Sequence, residues 1–467
     1  MSIARSEYTC CAPIIPTRLR IVGDGERVRV AAPGELPDVV GAGLRVPTLT
    51  GEVEYANLDH AASTPALVSV KAAVDTALQT YSSVHRGNGY ASRVTSAWYE
   101  QARVEVARFV GAREDDLVVF TRNTTDSTNL LARSLPRGTE VVVFETEHHS
   151  TLLPWQQVRD VQVTTLPVPS SIEHALEGLE KALAASVATH RLVVVAGASN
   201  VTGELWPLAD IVAVAQRHRA RVLVDAAQLA PHRAIDIAAT GIDYVAFSGH
   251  KLYAPFGAGV LAGRRDWLDA GTPYLRGGGA TSRVTTDGAA WATGAARHEG
   301  GSPNVIGAIA VAAACAAISA HRKAIEAHEA ELADRLGAGL DVIPGVDTWS
   351  IFGEEHDRVA VLAFTIERFD SSLVSAILST EYGIGVRDGK FCAHLLVDEL
   401  LEDPWGDVPA TAVRVSLGLA NTAEHIDRLV AAVAELAANG PARRYTRADE
   451  GWVADGDERD LSLPLPW

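Results

Sequence analysis

The chain is short of several residue types, and each shortage excludes something. It has four cysteines in 467 residues (Cys10, Cys11, Cys315 and Cys392). Their spacing suits neither a disulfide framework nor a zinc site, so no metal is expected and a reducing cytoplasm is the expected compartment. Positive charge is in deficit. Lys and Arg number 41 against 58 Asp and Glu, a formal net charge of −17, which argues against a general nucleic-acid binder and disfavours anionic membranes. The start, Met1 to Glu7, lacks the apolar core of a secretory signal. The longest uncharged apolar stretch, Val305 to Ala320, is too short and too rich in alanine for a membrane span. It runs on into charged helical sequence and reads as a buried helix. Apolar residues are plentiful: 47% hydrophobic against 21% charged describes a globular chain with ample core, long enough for two or three domains.

Residues 1–56 read as an N-terminal extension, with a hairpin expected where Arg18–Val22 and Arg27–Val30 flank Gly23-Asp24-Gly25-Glu26. Residues 57–304 alternate strand-like and helix-like segments. Leu117–Phe120, Val141–Phe144, Leu192–Val195, Val222–Val224 and Tyr244–Phe247 are short apolar runs. Alternation at this spacing predicts an α/β fold with one mostly parallel sheet covered by helices. A long helix is expected to begin near Pro303, with Ser302 as its cap. Residues 305–440 then hold that helix and a smaller α+β domain with strands at Val359–Phe364 and Val413–Leu417. The tail, 441–467, is charged and is expected to be irregular.

Lys251 is the most informative residue because of its surroundings. Tyr244–Ser248 leads into Gly249-His250-Lys251, and Val222-Leu223-Val224 leads into Asp225. In an α/β protein such runs are neighbouring buried strands, and ligands bind at their carboxyl ends. An amine and a carboxylate in one crevice are what pyridoxal 5′-phosphate (PLP) asks of a protein: an imine partner and a partner for its ring nitrogen. The ordinary alternative for Lys251 is a snorkelling surface lysine. Thr124 and Thr125 open a helix after a strand, an anion cradle or simply a capped helix start. His148 follows another strand, either as a catalytic residue that stacks on an aromatic cofactor and moves protons or as a surface or core histidine. Asn200 and Gln228 are candidates for a ring hydroxyl, although Asn200 also suits a turn before Gly203.

Seven segments in order carry a resemblance. They are Asn57-Leu58-Asp59-His60-Ala61-Ala62-Ser63, Val84-His85-Arg86-Gly87, Asn123-Thr124-Thr125, Glu147-His148-His149, Ser199-Asn200, Asp225-Ala226-Ala227-Gln228 and Ser248-Gly249-His250-Lys251-Leu252-Tyr253. Together they resemble the class V, fold-type I PLP enzymes, and within these the group II cysteine desulfurases and selenocysteine lyases. The resemblance covers about Asn57 to Leu436. It implies a seven-stranded-type, mostly parallel sheet and a homodimer with shared active sites. It implies that Lys251 forms the imine, Asp225 pairs with the pyridinium, His148 stacks on the ring, and Asn200 and Gln228 hold the ring oxygen. Thr124, Thr125, Ser248 and His250 would bind the phosphate, with Ser302, in Gly301-Ser302-Pro303-Asn304, reaching the partner's phosphate. Arg414 would take the substrate carboxylate, with Asn200, His85 and Arg86 nearby; otherwise Arg414 is a strand-end salt bridge.

Cys392 completes the pattern. Lone cysteines are commonly small buried hydrophobes, but this one matches the family's sulfur-accepting cysteine in its spacing from Arg387 and Gly389. Lys390 and His394 are cationic or ionisable neighbours able to favour a thiolate. Lys390-Phe391 stands where group II enzymes usually carry two histidines. The reaction implied is removal of sulfur from L-cysteine as a Cys392 persulfide with release of L-alanine, passed on to an acceptor protein. A C–S lyase, an epimerase or an aminotransferase on the same scaffold stays open, as does a selenocysteine substrate.

Overall fold

The computed structural model describes residues 35–401, 410–449, 451–462 and 465–467. The expected hairpin at 18–30 lies outside them, as do Cys10 and Cys11.

The apolar runs of the first half become one sheet. Its strands are β1 (Leu117–Thr121), β2 (Thr139–Phe144), β3 (Val161–Leu166), β4 (His190–Ala196), β5 (Arg221–Asp225), β6 (Tyr244–Ser248) and β7 (Gly259–Gly263). The order is β1-β7-β6-β5-β4-β2-β3. All neighbours are parallel except β7, which runs antiparallel to both β1 and β6. Side-chain alternation feeds two cores from the same strands. Val193, Val195, Val222, Val224, Val245 and Phe247 enter one. Leu192, Val194, Leu223, Tyr244 and Ala246 enter the other. A sheet covered on both faces needs continuous apolar strands, and the sequence supplies them.

Helix α1 (Val68–Leu78), helix α2 (Tyr90–Phe109), helix α3 (Thr124–Ser134) and helix α4 (Val305–Leu340) matter most for the site. Helix α4 starts two residues later than the sequence suggests. Its cap is Asn304, whose side chain accepts from the Gly307 N–H, rather than Ser302. Asn304 also donates to the carbonyls of Phe256 and Gly257, which fixes where the helix begins. Its first half buries Ala310, Val311, Ala314, Cys315 and Ile318 in the large core. Its second half buries Leu332, Leu336 and Leu340 in the small one. Among the described residues it alone is long and apolar enough to cross a bilayer, and it is the beam joining two cores.

The small unit is a four-stranded antiparallel sheet of β8 (Val346–Trp349), β9 (Val361–Ile366), β10 (Arg387–Gly389) and β11 (Ala412–Ser416), in the order β8-β9-β11-β10. Helices α5 (Ser371–Tyr382), α6 (His394–Leu400) and α7 (Ala423–Asn439) accompany it. Two features depart from the sequence reading. A hairpin of Arg45–Thr48 and Gly51–Glu54 precedes the large sheet. The tail is not irregular throughout: Tyr445–Ala448 and Gly451–Ala454 pair as a second hairpin. The Tyr445 hydroxyl donates to Glu381, and the Trp452 indole N–H donates to Ser372, so this hairpin is tied to both ends of α5.

One partly buried ion pair anchors α2 to the segment before α4. Glu299 accepts from both Nη atoms of Arg103 (2.8 and 2.9 Å), the Tyr99 hydroxyl and the Phe120 N–H. Without Glu299, Arg103 keeps Glu100 and the Val118 carbonyl, but the Tyr99 hydroxyl and the Phe120 N–H lose their acceptor. Glu299→Ala is therefore expected to cost about 1–3 kcal/mol, read as a lower urea midpoint. An unchanged midpoint would show that these groups are not held this way.

Candidate active site

The carboxyl ends of the large sheet's strands and the returning small sheet enclose a cavity of about 230 Å³. Thr124, Thr125, His148, Asn200, Asp225, Gln228, Ser248, His250, Lys251, Cys392 and Arg414 line it, together with Arg387 and Phe391.

Asp225 ends β5 and is 6% exposed. Its two oxygens accept from the Thr151 hydroxyl and from the Ala227 N–H at 2.9 Å. Burial raises its pKa, opposed by those hydrogen bonds and by the Lys251 charge. Such a carboxylate keeps its charge best against a buried cation. Lys251 lies just past β6, and burial lowers its pKa to about 8, with Asp225 opposing. An amine so placed is partly neutral near physiological pH and fit to act as nucleophile or base.

His148 lies beside them. The Ser150 N–H donates to its Nδ1 at 3.0 Å, so Nδ1 is the unprotonated nitrogen and Nε2 carries the proton. Burial, then the Lys251 charge, lowers its pKa to about 3, keeping the ring neutral. A neutral, flat ring is suited to stacking on an aromatic group.

The opposite end holds hydroxyls. The Thr124 N–H donates to Ser248 Oγ at 2.8 Å, and the two hydroxyls are also 2.8 Å apart. The cap of α3 is Asn123, not Thr124, which leaves the Thr124 side chain facing Ser248. Gly259 makes this approach possible: a Cβ there would stand 2.5 Å from the Asn123 Cα. Helix start, hydroxyls and His250 together suit an anion. Members of this kind of site need an amine, an acid, a flat neighbour and a phosphate cradle, and all four are present in one cavity. The donor set fits PLP.

Residues 56–429 match the family model for aminotransferase class V. The chain belongs to the class-V aminotransferase family. Members of this family, cysteine desulfurases included, are PLP-dependent. This class-V chain is 38% identical over 388 residues to a cysteine desulfurase of Dickeya dadantii, covering 80% of this chain and 90% of that one. It resembles the crystal structure of the cysteine desulfurase CsdA from Escherichia coli (TM-score 0.70, 31% identity, 81% of this chain and 94% of that one). It likewise resembles the apo cysteine desulfurase from Thermococcus onnurineus (TM-score 0.74, 30% identity, 82% and 95%).

Not every residue read from the sequence meets the class-V cavity. His85, Arg86 and Ser302 line a second cavity of about 900 Å³, bounded also by Arg103, Glu299 and Gly301. His85 is held by Glu100 at 2.9 Å. His85 and Arg86, just ahead of α2, thus lie at this second depression and not among the residues lining the first. Asn200 and Gln228 line the class-V cavity, but each donates to backbone, Asn200 to the Phe391 carbonyl and Gln228 to the Ala61 carbonyl, both at 2.8 Å. Lys390 is engaged by Asp398, so its charge is spent locally. His394 instead meets His149 edge to face, ring centroids 4.4 Å apart.

Three residues escaped the sequence reading. Thr151 grips Asp225 from the helix after His148, a short-range offset that periodicity does not mark. Arg387 lines the cavity wall; its place in the motif before Cys392 was the available signal. Asp59 reaches Arg414 across 355 residues of sequence, a pairing that only the fold creates.

Proposed function

We propose that this chain is a PLP-dependent cysteine desulfurase that takes sulfur from L-cysteine onto Cys392 and releases L-alanine. The observation that carries the reading is that Lys251, Asp225, Arg414 and Cys392 line one cavity. A non-catalytic binding module has no need of all four.

PLP, when bound, supplies an aldehyde and an electron-withdrawing ring. Asp225, fixed by Thr151 and Ala227, would hold the ring nitrogen in its protonated form. The His148 ring would stack on the cofactor. Thr124, Thr125, Ser248 and His250 would hold the phosphate. Arg414 orients the substrate carboxylate with a rigid fork. Lys251 Nζ removes the α-proton of L-cysteine and later returns a proton. The Cys392 thiolate attacks the substrate sulfur. The C–S bond breaks toward the β-carbon, which takes up a proton, and the sum is thiol plus L-cysteine giving persulfide plus L-alanine.

Cys392 is exposed, so a persulfide there can be handed to an acceptor protein or a thiol. Ser302 and the His85–Arg86 loop belong in this reading to a homodimer, serving the partner's cavity rather than their own. The thiol chemistry fits the cytoplasm. The test is purified holoenzyme with L-cysteine, with alanine, pyruvate and sulfide scored separately. Alanine with a persulfide on Cys392, mapped by mass spectrometry after alkylation, is the expected outcome. Pyruvate without persulfide would replace the reading with a C–S lyase.

A further inference from the structure

Arg414 is 3% exposed and sits in the middle of β11. Its Nη1 donates to the Asn200 carbonyl and its Nη2 to Asp59 Oδ1, both at 3.0 Å. A guanidinium has five N–H donors, so these two bonds leave three. Its Nε is buried with no protein partner. Its plane lies against the Phe391 ring, 5.2 Å to the centroid. Arg414 is thus seated by protein on one side and has donors to spare for a carboxylate.

Asp59 does more than seat it. Its other oxygen, Oδ2, is 4.0 Å from Nη1 of Arg387, a second guanidinium on the cavity wall. One carboxylate therefore stands between two guanidinium groups. Lys251 and Asp225 form a separate pair of opposite charge in the same cavity. The charge left at the Arg414 end is plus one, which matches one carboxylate. The main chain fixes Asp59 there. Its N–H donates to Asn57 Oδ1, and it bridges to Ser416 beside Arg414 on the same strand.

Resting on the reading of Arg414 as the carboxylate's partner, we propose that Asp59 is a specificity-determining residue. It holds this subsite at a single net positive charge, so that amino acids with an uncharged side chain bind and those with an anionic side chain are rejected. Without Asp59 the subsite carries two uncompensated guanidinium charges and accepts a second anionic group. At a separation of several ångströms and an effective dielectric near 20, one unit charge changes binding by roughly tenfold or more.

L-Alanine and L-aspartate differ in side-chain charge and offer no sulfur. The holoenzyme is titrated with each, reading the cofactor absorbance and, independently, the heat of binding. Asp59→Asn keeps an acceptor for Nη2 and removes the charge. Its ratio of Kd for L-aspartate to Kd for L-alanine is expected to fall about tenfold below wild type. Arg387→Gln, a change at a half-exposed side chain, is expected to raise the ratio. The double variant Asp59→Asn/Arg387→Gln restores the charge count and is expected to return the ratio toward wild type. A ratio within twofold of wild type in Asp59→Asn overturns the proposal. If that variant does not hold cofactor, an unmoved ratio in Arg387→Gln overturns it equally, and so does a double variant that fails to revert. Discrimination as stated in an enzyme that makes no alanine from L-cysteine would sink the desulfurase reading alone. No binding of L-alanine to wild type would sink both.

Discussion

Lys251→Ala is expected to abolish covalent cofactor capture and to lower turnover of L-cysteine by a factor of about 10³ or more. The expectation rests on placement. Lys251 is the one lysine lining the cavity, and it faces Asp225 and His148 there. The yellow chromophore of the reconstituted wild type, fixed by borohydride, should map to position 251, and the variant should show no such adduct. The pH dependence has a definite sign. Burial lowers this amine to about pH 8. Below that value it is protonated and a poor nucleophile, and above it the lone pair is free. Capture of PLP by the apoprotein should therefore quicken as pH rises from 6 to 9, with its inflection near 8. A borohydride adduct on another lysine, or a rate flat across that range, would remove Lys251 from its role and with it the reading of the site.

The runs Leu117–Phe120, Val141–Phe144, Leu192–Val195, Val222–Val224 and Tyr244–Phe247 were legible because a sheet buried on both faces demands continuous apolar residues, whereas the edge strand β3, Val161–Leu166, is half polar and was not read. Strand β7 was not legible. Gly257-Ala258-Gly259 before Val260 reads as turn sequence, and the glycine is there because Asn123 packs against it, a contact 136 residues away in sequence. The same split runs through the site. Lys251 and Asp225 could be paired from sequence because Asp225 ends one strand and Lys251 lies just past its neighbour. Asp59 could not be paired with Arg414, nor Asn200 with Phe391, because the small sheet has to fold back over the large one before they meet. The cap at Asn304 was displaced from Ser302 by tertiary bonds to Phe256 and Gly257, and local propensity cannot register those. The tail hairpin was missed because its partners, Glu381 and Ser372, lie on α5.

Cys392→Ala is expected to keep the cofactor spectrum and the binding of L-alanine while lowering alanine release from L-cysteine by about 10² or more. The loop geometry explains why so small a change should matter. Phe391 and Cys392 are consecutive non-glycine residues with positive φ, +51° and +56°. Such backbone is costly and persists only where the surroundings hold it. Here they do. The Phe391 carbonyl accepts from Asn200 Nδ2, and the Cys392 carbonyl accepts from the His149 N–H, both at 2.8 Å. The Ala393 N–H closes the turn on the Lys390 carbonyl at 2.9 Å. Both grips from outside the loop come from the large sheet's side of the cavity, from segments following two separate strands, and Cys392 lines that cavity. The Phe391 ring, 7% exposed, is pinned under Arg414. Removing only the sulfur leaves every one of these bonds in place. The variant therefore separates the nucleophile from the scaffold. Undiminished alanine release would mean that sulfur leaves L-cysteine without reaching the protein, and release of pyruvate in its place would make the enzyme a lyase whose exposed cysteine serves no chemical step.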